Sequence, residues 1–261
     1  MPALRAALVT AVVQPMAPAS RSAIRFTPAS QSAARSAPDD AGHEAWIGNF
    51  VVDLGTPGIE GLSGFDALGM RGSAPGRLRL NEVFVPADRL IGARQAGEPD
   101  GRGPAPSAWF GAAIAAVDLG VGESARRDVV RWAVDRRPRD GSQAVADLPT
   151  IGVRLGRIDA ALRAARIVLQ GVARHWQASL PADRQVLVPE ISLAKVTATN
   201  AAVLATDEAL RVAGGPGFLA GRIERAFRDA RGGLINPPLD DIAYQGFARR
   251  LVDDERAGNP R

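Results

Sequence analysis

Cysteine is absent from all 261 residues, which excludes disulfides, thiolate chemistry and Cys-ligated zinc or iron–sulfur centres, and fits a reducing cytoplasm. Histidine is nearly absent. His43 and His175 lie in different segments, no His-x-x-x-His pair exists and no carboxylates cluster to replace one, so no metal site is expected. A Ser-His-Asp triad would lack its Gly-x-Ser-x-Gly elbow. Lysine is scarce too: Lys195 is the only one, and arginine supplies the rest of the positive charge. Because guanidinium does not titrate in the usual range, a net charge of only +4 coexists with a pI near 10.7. There is no dense basic run interleaved with aromatics, so nucleic acid is not an expected partner. The apolar run Ala6–Val13 is too short to span a bilayer.

What remains is rich in Ala, Val and Leu, with 46% hydrophobic and only 5% aromatic residues, a composition for closely packed helices. The chain is expected to divide into five parts: a leader at 1–45, a partial β-domain at 46–96, a Gly/Pro linker at 97–106, a helical bundle at 107–254 and a tail at 255–261. Met1 to Pro38 carries no acidic residue and is Ala/Ser/Pro/Arg-rich, offering little to bury. It reads as a poorly ordered leader, consistent with an alternative start site. Short apolar runs at Ile47–Leu54 and from Leu78 to Val85, punctuated by Thr56-Pro57-Gly58 and Pro86, predict strands.

Beyond the linker the apolar period becomes helical. Phe110, Ile114, Val117 and Val121 mark one face of a first helix reaching about Val134. Ile151, Leu155, Ile158, Leu162, Ala165, Leu169, Val172 and Trp176 mark a second, with a bundle seam. A third is predicted from Pro189 to Ala213, with Ala194, Ala198, Ala201 and Ala205 allowing close approach. Leu239, Ile242, Ala243, Phe247 and Leu251 line a fourth, with Asn236 as its cap, Pro237 at its first position, and Asp240 and Asp241 in its first turn. Four helices with short connections predict an antiparallel bundle, so the fold class is mainly α with a small β-domain before it.

The third helix runs into Gly214-Gly215-Pro216-Gly217-Phe218. Gly215-x-Gly217-x-x-Ala220 fits a loose dinucleotide fingerprint, but that fingerprint needs a preceding strand and here a helix precedes it. A glycine helix stop at Gly214 or Gly215 accounts for one glycine of the three.

Gly214-Gly215-x-Gly217-Phe218 and Glu224-Arg225-x-Phe227-Arg228-Asp229-Ala230, following such a bundle, resemble the C-terminal domain of acyl-CoA dehydrogenases. Upstream, Thr56-Pro57-Gly58-Ile59, Leu68-Gly69-Met70-Arg71-Gly72-Ser73 and Asn81 to Gly92 resemble the end of that family's middle β-domain, in the same order. The resemblance spans roughly residues 47–254. It implies an FAD-dependent oxidoreductase acting on CH–CH groups of acyl-CoA thioesters, assembled as a homodimer, homotetramer or hetero-oligomer with a relative. It also implies FAD contacts from Arg137 and Gly141, matching an Arg-x-x-Phe-Gly loop with Asp140 in place of its Phe. Further contacts are implied for Arg211, where a Gln often stands, and for Gly214, Gly215 and Gly217.

The catalytic half of the signature departs from the family. Counting from Arg228, the usual base position is Pro237, which cannot take a proton. The alternative position on the first bundle helix is near Gly111, with no carboxylate before Asp118. The N-terminal helical domain and the first half of the β-domain have no counterpart here. The catalytic residue is therefore left open, with Asp118, Glu123, Asp240 and Asp241 as substitutes to place. Asp240 and Asp241 are expected to serve the helix start, Asp118 to be hydrogen-bonded within the bundle, and Glu224, Arg225, Arg228 and Asp229 to form an ion-pair set fixing the turn. An impaired dehydrogenase, a non-catalytic oligomerisation bundle and a flavin-dependent monooxygenase-like relative are the functions this pattern allows.

Overall fold

A computed structural model describes residues 6–13, 23–26, 46–62, 66–73, 77–95, 105–138, 141 and 143–258. Two compact units result, one drawn from residues 1–65 and 74–101, the other from 66–73 and 102–261. His43, Asp140 and most of the Gly/Pro linker lie outside the described residues.

The first unit contains seven strands among its described residues: β1 (Ala6–Val13), β2 (Ala23–Phe26), β3 (Trp46–Asp53), β4 (Ile59–Leu62), β5 (Arg77–Leu80), β6 (Val83–Pro86) and β7 (Leu90–Gln95). β1 and β7 flank β3 in an antiparallel sheet, while β2 pairs with β6 and β4 with β5. Within the stretch expected as a poorly ordered leader, β1 is in full register with β3, Ala6 opposite Asp53 and Val13 opposite Trp46. The correction has a physical reason: the Ala/Val/Leu/Thr run too short for a bilayer is the right length for a strand, and β-branched residues suit a pleated surface. In β6 the side chains alternate, with Val83 and Val85 buried and Phe84 outward. With Phe50, Val52 and Leu80 they form the unit's core. Gly58, at φ +92°, makes the turn into β4. A Cβ there would stand 2.0 Å from the Asn81 carbonyl oxygen, so the turn requires glycine.

The second unit is built on α1 (Ala105–Asp135), α2 (Pro149–Ala178) and α3 (Val188–Ala213). Three short helices follow, α4 (Gly215–Phe218), α5 (Arg222–Asp229) and α6 (Gly232–Ile235), and then α7 (Asp240–Arg256). α3 is the axis, touching α1, α2 and α7. Its predicted alanine stripe is buried throughout, at Ala194, Ala198, Ala201 and Ala205. The α2 seam holds as well, with Ile158, Leu162, Ala165 and Trp176 buried.

α1 buries its marked apolar face only in part, with Ile114 half-buried and Val121 packed against the core. Phe110 and Val117 are exposed, while Ala108, Ala115, Leu119, Ala125, Val129 and Ala133 point inward. A Cβ on Gly122 would lie 2.6 Å from Leu162 Cδ2 and 3.2 Å from Ala202 Cα. α1 and α3 approach closely because both turn small residues to the seam, and larger side chains on that face would force them apart. The start of the last helix also differs from expectation. α7 begins at Asp240 after Leu239, and Asn236 instead donates its side-chain amide to the Gly232 carbonyl at 3.1 Å, closing α6. The predicted stripe of α7 is buried only at Ala243.

Candidate functional site

Two of the sequence motifs meet at α5. Arg228 binds Glu224 one turn earlier on the same helix and donates from Nη1 to the Leu68 carbonyl at 2.8 Å. Asp229 Oδ1 accepts the Met70 backbone N–H at 2.6 Å. A Cβ on Gly69 would be 2.3 Å from the Arg228 carbonyl oxygen, and one on Gly232 2.8 Å from Met70 Cγ. Leu68-Gly69-Met70 and Arg228-Asp229 are therefore two halves of one joint, which glycine makes close enough to form. The Arg228 guanidinium holds the Glu224 carboxyl below the usual carboxylate range. Of the expected ion-pair set, Glu224 and Arg228 pair with each other, Asp229 serves backbone, and Arg225 stands exposed beside a cleft.

The glycine turn follows directly from α3. Gly214 ends the helix at φ +58°, ψ −139°, a conformation that L-residues avoid, and its N–H bonds to the Leu210 carbonyl at 2.9 Å. A Cβ on Gly217 would meet Ala213 Cβ at 2.7 Å, so that glycine serves packing. Gly215 has open space where a side chain would stand and an ordinary backbone angle. It is the one glycine of the three that the fold does not require.

Between this turn and the last turns of α1 lies an open cleft of about 510 Å³. Asp128, Arg131, Asp135 and Arg136 line one wall, and Pro216, Gly217 and the chain from Leu219 to Ile223 the other. A second cleft of about 810 Å³ continues along α1 past Val117, Gly120, Val121 and Ser124, with Arg225, Arg228 and Asp229 opposite. Asp128 and Arg222 line both, 3.6 Å apart at their charged atoms. Val117 and Val121 of the apolar α1 face thus line a groove, and Val121 also packs against the bundle core.

Of the six residues carried over by resemblance, Gly217 lines the first cleft, and Arg137 stands exposed immediately after Arg136 at its rim. Gly141, at φ +70°, closes a turn through its N–H to the Pro138 carbonyl at 3.0 Å. Gly214 and Gly215 are exposed at the turn itself. Arg211 is exposed and bound to Asp207 one turn back at 2.7 Å.

The substitute acids occupy different environments. Glu123 is neutralised by Arg126 and Arg166, and Asp241 is exposed on the first turn of α7. Asp118 is buried at 4% exposure and accepts the Thr199 hydroxyl at 2.6 Å. Burial pushes its carboxyl above the usual range, although the hydroxyl and the nearby Lys195 act in the opposite direction. Its carboxyl lies against Gly233, where a Cβ would be 2.3 Å from Oδ2. Lys195 is wholly buried, with Nζ 3.5 Å from Asp240 Oδ1, while Asp240 Oδ2 accepts Asn200 Nδ2–H at 2.7 Å. Asp240 therefore anchors the start of α7 to α3 through its side chain. Sequence reading passed over Lys195, yet a lone lysine in the apolar frame Leu193-Ala194-Lys195-Val196 is itself a signal of a buried, paired charge.

Among the described residues no group of His, Asp or Glu is placed to hold a metal, and no helix is long and apolar enough to cross a membrane.

Residues 112–234 match the acyl-CoA dehydrogenase C-terminal domain family. Over 216 residues the chain is 31% identical to the acyl-CoA dehydrogenase-type protein YdbM of Bacillus subtilis, covering 80% of this chain and 55% of that one. Over 213 residues it is 27% identical to the human mitochondrial short-chain specific acyl-CoA dehydrogenase, covering 81% and 49%. The chain thus spans about half the length of these relatives. Among solved structures, an acyl-CoA dehydrogenase-type protein of Mycobacterium abscessus superposes with a TM-score of 0.66 at 25% identity, covering 83% of this chain and 54% of that one. A nitrososynthase of Micromonospora carbonacea var. africana shares the fold with a TM-score of 0.67 at 22% identity, covering 82% and 54%. Residues 112–234 thus carry the acyl-CoA dehydrogenase C-terminal domain, and the chain as a whole is similar to the C-terminal half of proteins of that type.

Proposed function

We propose that the chain is the bundle-bearing part of an FAD-dependent oxidoreductase of the acyl-CoA dehydrogenase type, acting on CH–CH groups of acyl thioesters, with proton abstraction impaired. The observation that carries this reading is the cleft between the end of α1 and the glycine turn. Arg131 and Arg136 line it, Arg137 follows at its rim, and the unfilled backbone of Gly215 belongs to the turn that forms its far side. Guanidinium groups pair with phosphate oxygens, and bare backbone permits close approach, so these residues fit a pyrophosphate-bearing cofactor. On this reading Arg137, Gly141, Arg211, Gly214, Gly215 and Gly217 are the cofactor contacts, and Arg136, which lines the cleft, supports it. FAD, when bound, supplies the hydride-accepting chemistry, and the protein supplies its position.

Impairment follows from the chain's own residues. Pro237 offers no proton acceptor, Gly111 is packed with its Cα facing Ile191, and the Asp118 carboxyl is occupied by Thr199. Purified chain should take up FAD with a visible absorption band, and Arg136→Ala and Arg137→Ala should each weaken uptake by about tenfold to a hundredfold, the range for a charge-assisted contact. Bleaching of bound flavin by acyl-CoA substrates should be slow. Absence of flavin uptake in every oligomeric form, read by light scattering alongside absorbance, would favour the second reading, a non-catalytic bundle retained for assembly with a copy or a relative.

A further inference from the structure

The segment 236–239, between α6 and α7, is held from below by buried polar groups on both sides. On the α6 side, Asp118 of α1 lies against Gly233 and accepts Thr199 of α3 at 2.6 Å. On the α7 side, Asp240 meets Lys195 at 3.5 Å and Asn200 at 2.7 Å, both from α3. Lys195 acts electrostatically on Asp118 as well as on Asp240, and the two carboxyls act on each other. Its position is costly: the ammonium is fully buried, and a buried charge is tolerated only where it is paired. Within the segment, Asn236 is bonded back to the Gly232 and Gly233 carbonyls of α6. Ile235 is 77% exposed and Leu239 44% exposed, and neither packs into the described core.

We infer that Lys195 is a positioning residue for 236–239, a buried cation that fixes the start of α7 through Asp240 and balances Asp118 beneath α6. Its relevance to chemistry rests on the flavoenzyme reading above, in which Pro237 stands at the family's base position. The mechanical claim is independent of it. Removing the ammonium leaves Asp240 held by Asn200 alone and loosens α7 at its first turn. Removing both charges relieves that strain.

The experiment is amide hydrogen exchange on the full chain, read at Leu234–Asn236 and Leu239–Ala243, with α2 as internal control. Lys195→Met should speed exchange in those two stretches at least tenfold while Ile158–Val172 changes by less than twofold. Adding Asp240→Asn to Lys195→Met should restore most of the protection at 239–243, because residue 240 is then neutral and Asp118 keeps the Thr199 hydroxyl. If Lys195→Met does not fold, Asp240→Ala, which changes a partly exposed side chain, carries the same expectation for 239–243. Loss of protection spread evenly over α1, α2 and α3, unchanged exchange at 234–243, or failure of Asp240→Asn to rescue would each overturn the inference. Measuring with and without FAD separates the two readings: a chain that takes up no flavin yet shows the rescued pattern defeats the flavoenzyme proposal and leaves the positioning role standing.

Discussion

α1 and α2 are helices of nearly equal length in one bundle, of 31 and 30 residues, and α1 buries the smaller side chains, its alanines and Gly122 beside Leu119 and Val129. α2 turns Ile158, Leu162 and Trp176 inward. α1 turns alanines and Gly122 inward and leaves Phe110, Val117 and Val134 exposed. The difference lies in the spacing to the partner. Where α1 meets the alanine face of α3, backbones approach until a glycine is needed, and Phe110 and Val117 stand outside. An apolar period identifies a helix, but where small residues share that period the larger stripe need not be the buried one.

The largest expected effect is on the conventional side of this comparison. Leu162→Ala should cost about 2–5 kcal/mol of bundle stability by the usual large-to-small penalty, measured by urea unfolding followed through helix circular dichroism. Gly122→Val tests the close side. Its branched side chain would meet Leu162 and the α3 backbone at Ala202, and overpacking of that kind costs about 1–3 kcal/mol. An unchanged urea midpoint would show that α1 and α3 can move apart freely.

Asp118 also faces the close seam, and its effect depends on pH. Its folded pKa is raised by burial, so the native state holds the proton more tightly than the unfolded chain. Its contribution is then greatest below the unfolded value of about 3.9 and is lost as pH rises through the folded value. Asp118→Asn, neutral at every pH and still able to accept from Thr199, should raise the melting temperature at pH 7. About 2–4 °C would accompany each kcal/mol in a chain of this size, and the gain should shrink towards pH 4. The smallest effect belongs to the outer face of α1. Val117→Ser should change stability by within about 0.5 kcal/mol, whereas a residue of a buried seam would cost several times more.

Legibility differed from element to element for physical reasons. The α2 seam, the α3 alanine stripe and the glycine stop at Gly214 depend on local period or local backbone angle, and all were readable. The facing of α1 was not, because it depends on what α3 presents to it. β1 was passed over because its pairing partner, β3, begins 33 positions after β1 ends, at Trp46 against Val13. The cap assigned to Asn236 was misplaced because its amide found the end of α6 before it could serve α7. At the candidate site, the motifs Leu68-Gly69-Met70 and Arg228-Asp229 were legible separately, and their bonding to each other was not.

By itself the amino-acid order determined the helices, the turn glycines and the absence of a titratable side chain at 237, since each follows from residue type or short spacing. Tertiary structure alone decided which face of α1 is buried, which groups share a cleft with the glycine turn, and that Lys195 meets Asp240 while Asp118 meets Thr199. Those outcomes depend on distance in space, and Asp118 and Thr199, 81 positions apart in the chain, are 2.6 Å apart in the fold.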